Sequence, residues 1–122
     1  MTLEELHRLC DAWLESWTGN RPERLLEHYA ADAFYRDPAR PEGLRGREAL
    51  AAYFESLLAK NPEWRWRRKA LFPTETGFVL KWEASVPHRG SQLRLEGMDL
   101  VELDGGKIRS NEVYFDATPL RS

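Results

Sequence analysis

The chain has a single cysteine, Cys10, and only three histidines in 122 residues. One thiol excludes an intrachain disulfide, and its place on the apolar stripe of a predicted helix makes it a buried packing residue. His7, His28 and His88 are scattered, and no two of them share ligand spacing with a carboxylate on one face. Neither a metal nor an organic cofactor is therefore expected. An excess of positive charge is also missing, with 18 Lys and Arg against 20 Asp and Glu and a formal charge of -2. That balance lacks what binding a phosphate backbone requires, so nucleic acid is not expected as a partner. No apolar run approaches the roughly 18 residues of a membrane span, and the N-terminus opens directly on a helix of mixed charge. A cytoplasmic protein without a membrane partner is expected.

What is present suits a folded globular chain. Hydrophobic residues make up 42% and charged residues 31%, and the length fits one domain over residues 1–122. Thr2 followed by Glu5 forms a capping box, and Leu3, Leu6, Cys10, Trp13 and Trp17 recur at helical spacing as far as Gly19. A first helix over 3–18 is predicted. Pro22 opens a second, shorter helix that turns Leu25, Leu26 and Tyr29 inward and closes near Ala31. A short strand, Phe34 to Asp37, follows. Pro38, Pro41 and Gly43 make the next segment a loop, and Leu50, Phe54 and Leu57 mark a third helix that Asn61 and Pro62 stop.

From Trp64 the apolar period changes to two, and turn signals divide the remainder into strands over about 64–72, 77–86, 92–103 and 107–116. The WRWRRK run, Trp64 to Lys69, is read as alternation on a half-exposed strand and not as a platform for single-stranded bases. Helices first and a meander second predict an α+β domain with the helices on one face of the sheet.

Two aspartates stand out. Leu93, Leu95, Gly97, Asp99, Val101 and Leu103 share one parity, which points a carboxylate into an apolar row. Such a group must pair, find donors or keep its proton. Asp37 closes the short strand and Pro38 holds it extended, so the residue either starts a turn or leans over the mouth of a pocket. Among the aromatics, Trp82 shares parity with Leu80, Ala84 and Val86 and should also face inward.

The order helix, short helix, YRDPA, GREAL helix and strands ending in GMDL, DGGKI and NEVYFD resembles the nuclear transport factor 2-like superfamily. Within it the chain is similar to SnoaL-like cyclases and ketosteroid isomerases. The resemblance implies a cone-shaped α+β barrel, with three N-terminal helices packed on a strongly curved, mostly antiparallel sheet that encloses a pocket. It implies catalytic roles for Asp37, as the general base, and for Asp99, as a protonated oxyanion donor. The isomerases' helix-one tyrosine is replaced here by Trp13, whose N–H has no acidic proton to share; Tyr35, Tyr53 or Tyr114 could supply a hydroxyl instead. Epoxide hydrolases of the superfamily use an Asp-Arg-Asp set, which Arg94 cannot join because its parity opposes that of Asp99. The expected pocket lining is Trp13, Trp17, Tyr35, Phe54, Trp82, Asn111 and Phe115, and the expected ligand is a small hydrophobic molecule. The outer sheet face, with Tyr114 and one of Trp64 or Trp66, would form a homodimer. Three functions stay open on this basis: an isomerase, lyase or cyclase acting on a carbonyl compound, a non-catalytic ligand-binding module, and a dimerisation module with a filled interior.

Overall fold

The computed structural model describes residues 1–121. Helix α1 (Leu3–Glu15) starts at the expected capping box, with the Thr2 hydroxyl accepting from the Glu5 amide and the Glu5 carboxylate accepting from the Thr2 amide. It ends earlier than the periodicity suggests. Ser16 turns its hydroxyl back onto the Trp13 carbonyl at 2.6 Å, and Gly19 and Asn20 then adopt positive φ. Helix α2 (Pro22–Leu26) is a short turn begun by proline. Helix α3 (Arg47–Lys60) buries Leu50, Phe54 and Leu58, spaced by four, while Leu57 lies one step round the helix.

Six strands follow one another as β1 (Tyr29–Asp37), β2 (Arg40–Arg45), β3 (Arg65–Pro73), β4 (Gly77–His88), β5 (Ser91–Asp104) and β6 (Lys107–Phe115). They form one sheet in the order β2-β1-β6-β5-β4-β3. Neighbours pair antiparallel except β1 and β6, which run parallel. The sheet is mixed and open, with β2 and β3 as its edges, so the strands do not close into a barrel.

Two boundaries differ from the sequence expectation. The alanine-rich stretch after Leu25 suits a helix by propensity, yet the Ile108 amide donates to the His28 carbonyl at 2.7 Å and β6 draws the chain into a strand from Tyr29 onward. The register between Tyr29 and Phe34 is irregular, which exposes Ala31 and Asp32 and hides the period-two signal. The proline-rich segment expected as a loop is the edge strand β2, where Pro41 is tolerated because a neighbour is missing on one side. Gly43 serves there by close approach: at φ 82° it lies so near the Phe34 ring that a Cβ would sit 2.3 Å from it. With α1 packed on β3 and α3 on β1, the core fills the space between helices and sheet.

Candidate functional site

A cavity of about 260 Å³ lies between α1, α3 and the inner sheet face. Its aromatic wall comes from Trp13 and Trp17 of the first helix and its exit, Tyr35 of β1, Tyr53 of α3, Trp64 and Trp66 at the start of β3, Trp82 of β4 and Phe115 of β6. Asp37, Asp99 and the C-terminal Leu120 and Arg121 complete the rim and floor. The rings meet mostly edge to face, with Trp66 and Trp82 centroids 4.8 Å apart at 84° and Trp64 and Trp66 5.6 Å apart at 87°.

Asp99 is 4% exposed. It faces inward because β5 alternates, and its register with Leu80 and Val113 sets it between Trp82 and Asn111. Trp82 Nε1–H donates to Oδ1 at 2.7 Å and Asn111 Nδ2 to Oδ2 at 2.8 Å. Asn111 in turn accepts from the Tyr29 hydroxyl at 2.7 Å, and that hydroxyl accepts from Trp13 Nε1–H at 3.2 Å. The chain of bonds ties α1, β1, β6 and β5 together. Burial pushes the Asp99 carboxyl up to about 6; the Asn111 and Trp82 donors counter this and the charge of Asp37 adds to it. A carboxylate has about four acceptor positions, of which these donors fill two.

Asp37 is arranged differently. Its Oδ1 accepts from the amides of Ala39 and Arg40, each at 2.9 Å, which closes the turn between β1 and β2. Its Oδ2 accepts from the hydroxyls of Tyr35 and Tyr53, each at 2.7 Å. All four acceptor positions are occupied, so no lone pair is left to take a substrate proton in this arrangement. Burial and the adjacent carboxylate hold both tyrosine hydroxyls well above their ordinary range, so they serve Asp37 as neutral donors.

Of the expected lining residues, Trp13, Trp17, Tyr35, Trp82 and Phe115 do border the cavity. Phe54 and Asn111 do not. Phe54 is fully buried behind the wall, its ring 5.4 Å from Trp17 and 5.3 Å from Tyr29 and Tyr35, because the buried stripe of α3 runs through it and leaves Leu57 on the cavity side. Asn111 lies beneath Asp99 as its donor. Trp64 and Trp66, considered for the outer face, lie on the inner one, since Trp66 pairs with Ala84 in the row that carries Trp82. Tyr114 is 49% exposed on the outer face and brings no hydroxyl to the cavity. Arg94 is exposed near Glu83, away from Asp99. Sequence reasoning missed Tyr29 as a strand residue; its parity with Ala33, Tyr35 and Asp37 was the available signal, masked by the irregular register. Among the described residues no group of three or more His, Cys, Asp or Glu is placed to hold a metal, and no helix is long and apolar enough to cross a membrane.

The model of the SnoaL-like domain matches residues 10–111. The chain belongs to the SnoaL-like family. Solved structures with the nuclear transport factor 2-like fold agree with it. A Catenulispora acidiphila protein of ketosteroid isomerase-like fold, solved in complex with trimethylamine, superposes with a TM-score of 0.81 at 20% identity over 92% of this chain and 88% of its own. AclR, a proposed hydroxylase from Streptomyces galilaeus, gives 0.79 at 14% identity over 98% and 94%. A nuclear transport factor 2-like protein of unknown function from Cytophaga hutchinsonii gives 0.70 at 17% identity over 96% and 95%. Identities this low carry the fold and not the activity. None of the curated proteins matches the chain.

Proposed function

We propose that this SnoaL-like chain binds a small, ring-bearing apolar molecule in its aromatic cavity and that Asp99 is the group that exchanges a proton with it. The supporting observation is a buried carboxylate on the cavity wall, held by two neutral donors, with two acceptor positions open. A cavity of about 260 Å³ has room for a small ligand of one or two rings. On a carbonyl compound of that size Asp99, as carboxylate, takes the proton from the carbon beside the carbonyl. The C–H electron pair moves into the enolate, and the proton returns to the same or another carbon. A group titrating at about 6 holds both forms within reach of neutral pH, which is what such an exchange needs. The roles implied by the ketosteroid isomerases are thereby redistributed, with Asp99 handling the proton and Asp37 fixing Tyr35, Tyr53 and the β1–β2 turn.

A second reading, a binding module without chemistry, is favoured by one observation: the four donors on Asp37 use up the carboxylate that the isomerases employ as base. Hydrogen–deuterium exchange at the α-carbon of one- and two-ring ketones, followed by NMR, separates the two. Catalysed exchange that falls by about 10²-fold or more in Asp99→Asn supports the enzyme. Ketones that bind without exchanging leave the binding module, and a cavity that takes neither overturns both.

We also propose a partner for the outer face of the sheet. Met98, Leu100 and Tyr114 are 43%, 37% and 49% exposed, and Met98 pairs directly across from Tyr114, so they form one apolar patch on β5 and β6. A homodimer through this patch is the assembly that would cover it. Sedimentation equilibrium of the wild type and of Tyr114→Lys tests it; a wild-type monomer at micromolar concentration rules the dimer out.

A further inference from the structure

Among the described residues, Asp99 is a buried carboxylate without a counter-ion. Among the described residues the ion pairs all lie elsewhere, and none joins a Lys, Arg or His to Asp99 or Asp37. The charge that acts on Asp99 is the like charge of Asp37. Among the described residues Arg121 is the cation on the cavity wall, and it is exposed at the rim. Neutral donors soften this arrangement but do not cancel it, and a buried charge with no opposite partner is costly.

The remaining wall consists mainly of aromatic rings. Trp64, Trp66 and Trp82 stand edge to face in succession, so the indoles that line the cavity are turned in more than one direction. Each face carries the negative end of the ring quadrupole. A neutral apolar guest would fill the space and leave the carboxylate uncompensated. A neutral donor would occupy one lone pair and leave the charge. A cation gains from the indole faces and from the carboxylate together, in a cavity where screening by water is weak.

On the reading that a small ring-bearing molecule occupies the cavity, we infer that the preferred molecule carries a cationic amine, either a protonated tertiary amine or a quaternary ammonium, seated among the indole faces beside Asp99. The inference rests on that occupancy and not on proton transfer to carbon. It also sets a pH dependence. The titratable groups around Asp99 are Cys10 of α1 and Tyr29 and Asp37 of β1. Burial pushes the thiol up to about 12 and the phenol well above its ordinary value, so neither of these two changes its charge between pH 5 and pH 7.5.

The test compares benzyltrimethylammonium with its neutral carbon isostere, neopentylbenzene, by tryptophan fluorescence and calorimetry on the intact chain. At about pH 7.5 the ammonium is expected to bind at least about tenfold tighter than the isostere. At about pH 5, where Asp99 is protonated in the free protein, its affinity should fall about tenfold while that of the isostere stays level. Asp99→Asn should remove the pH effect; if that variant does not fold, the pH series on the wild type decides. Benzyldimethylamine, compared at the same pH values, distinguishes the tertiary from the quaternary centre. An isostere that binds as tightly as the ammonium at neutral pH overturns the inference and leaves the apolar pocket standing. An ammonium preference that ignores pH overturns it too, because Asp99 would then play no part. Binding by neither probe overturns the inference together with the occupancy it rests on.

Discussion

Replacing Asp99 by Asn should change how stability depends on pH more than it changes stability at any one pH. In the folded chain burial lifts the Asp99 carboxyl from its ordinary 3.8 to about 6. The gap is about two pH units, each about 1.4 kcal/mol, or about 3 kcal/mol in all. The sign follows from which state holds the proton. Between 3.8 and about 6 the folded chain is protonated at Asp99 while the unfolded chain is not, so the contribution to stability is fully present below pH 3.8. It is lost as pH rises through about 6. The Asn variant lacks this term. It keeps an oxygen for Trp82 Nε1–H, but its amide opposes Asn111 Nδ2, a mismatch of about 1 to 3 kcal/mol that does not vary with pH. Urea unfolding of both proteins at intervals from about pH 4 to about pH 7.5 isolates the difference. The wild type should lose about 2.4 kcal/mol of this relative to the variant across that range, with most of the change between 4 and 6. A flat difference, or a wild type that gains on the variant as pH rises, would refute the burial argument for Asp99.

Gly97→Ala tests the wall from the other side. A Cβ there would lie 2.3 Å from Cζ2 of Trp82 and 2.8 Å from Cβ of Phe115, so the indole must shift at a cost of about 1 to 3 kcal/mol, and its bond to Asp99 should lengthen. Urea unfolding gives the cost; an unchanged Trp82 indole N–H shift would show that the bond had survived. Asp37→Asn should destabilise the chain by about 1 to 3 kcal/mol for each donor left unpaired, because an amide accepts at one oxygen only. The same variant removes a like charge, so the Asp99 midpoint should drop below its wild-type position in a carbon-detected titration, and a rise would refute the coupling. Phe54→Leu, behind the wall, should cost stability of the order seen for trimming a buried aromatic, about 1 to 3 kcal/mol, and leave ligand affinity within about threefold. A larger loss of affinity would place Phe54 on the cavity after all.

The inward-facing Asp99 shows what periodicity can deliver. Alternation along β5 assigns each residue to a face, and an acidic residue in an apolar row announces itself without any partner in view. Trp82 was legible for the same reason. Trp64 and Trp66 were not, because Trp and Arg alternate in WRWRR whichever face is inner, and only the pairing of Trp66 with Ala84 resolves it. Phe54 and Leu57 were confused by one step of helix rotation, a difference that depends on how α3 rolls against β1 and not on its own sequence. Tyr29 was assigned to a helix because local propensity around it outweighs a strand pairing made 79 residues later, with Ile108.

By itself the sequence determined the capping box of α1, the change of apolar period near Trp64, the helices-then-strands order and the burial of Asp99, all of which are set by neighbours close along the chain. Only the tertiary structure decided what each carboxylate can do. Asp37 has all its acceptor positions filled because Tyr53, 16 residues away on α3, and Tyr35, two residues away on β1, converge on one oxygen while the turn amides take the other. Asp99 keeps two positions open because its donors come from β4 and β6 and the cavity faces its free side. The physical reason is that a hydrogen bond depends on distances of about 3 Å between groups that the chain brings together from far apart, whereas a sequence pattern records only which face of its own element a residue occupies.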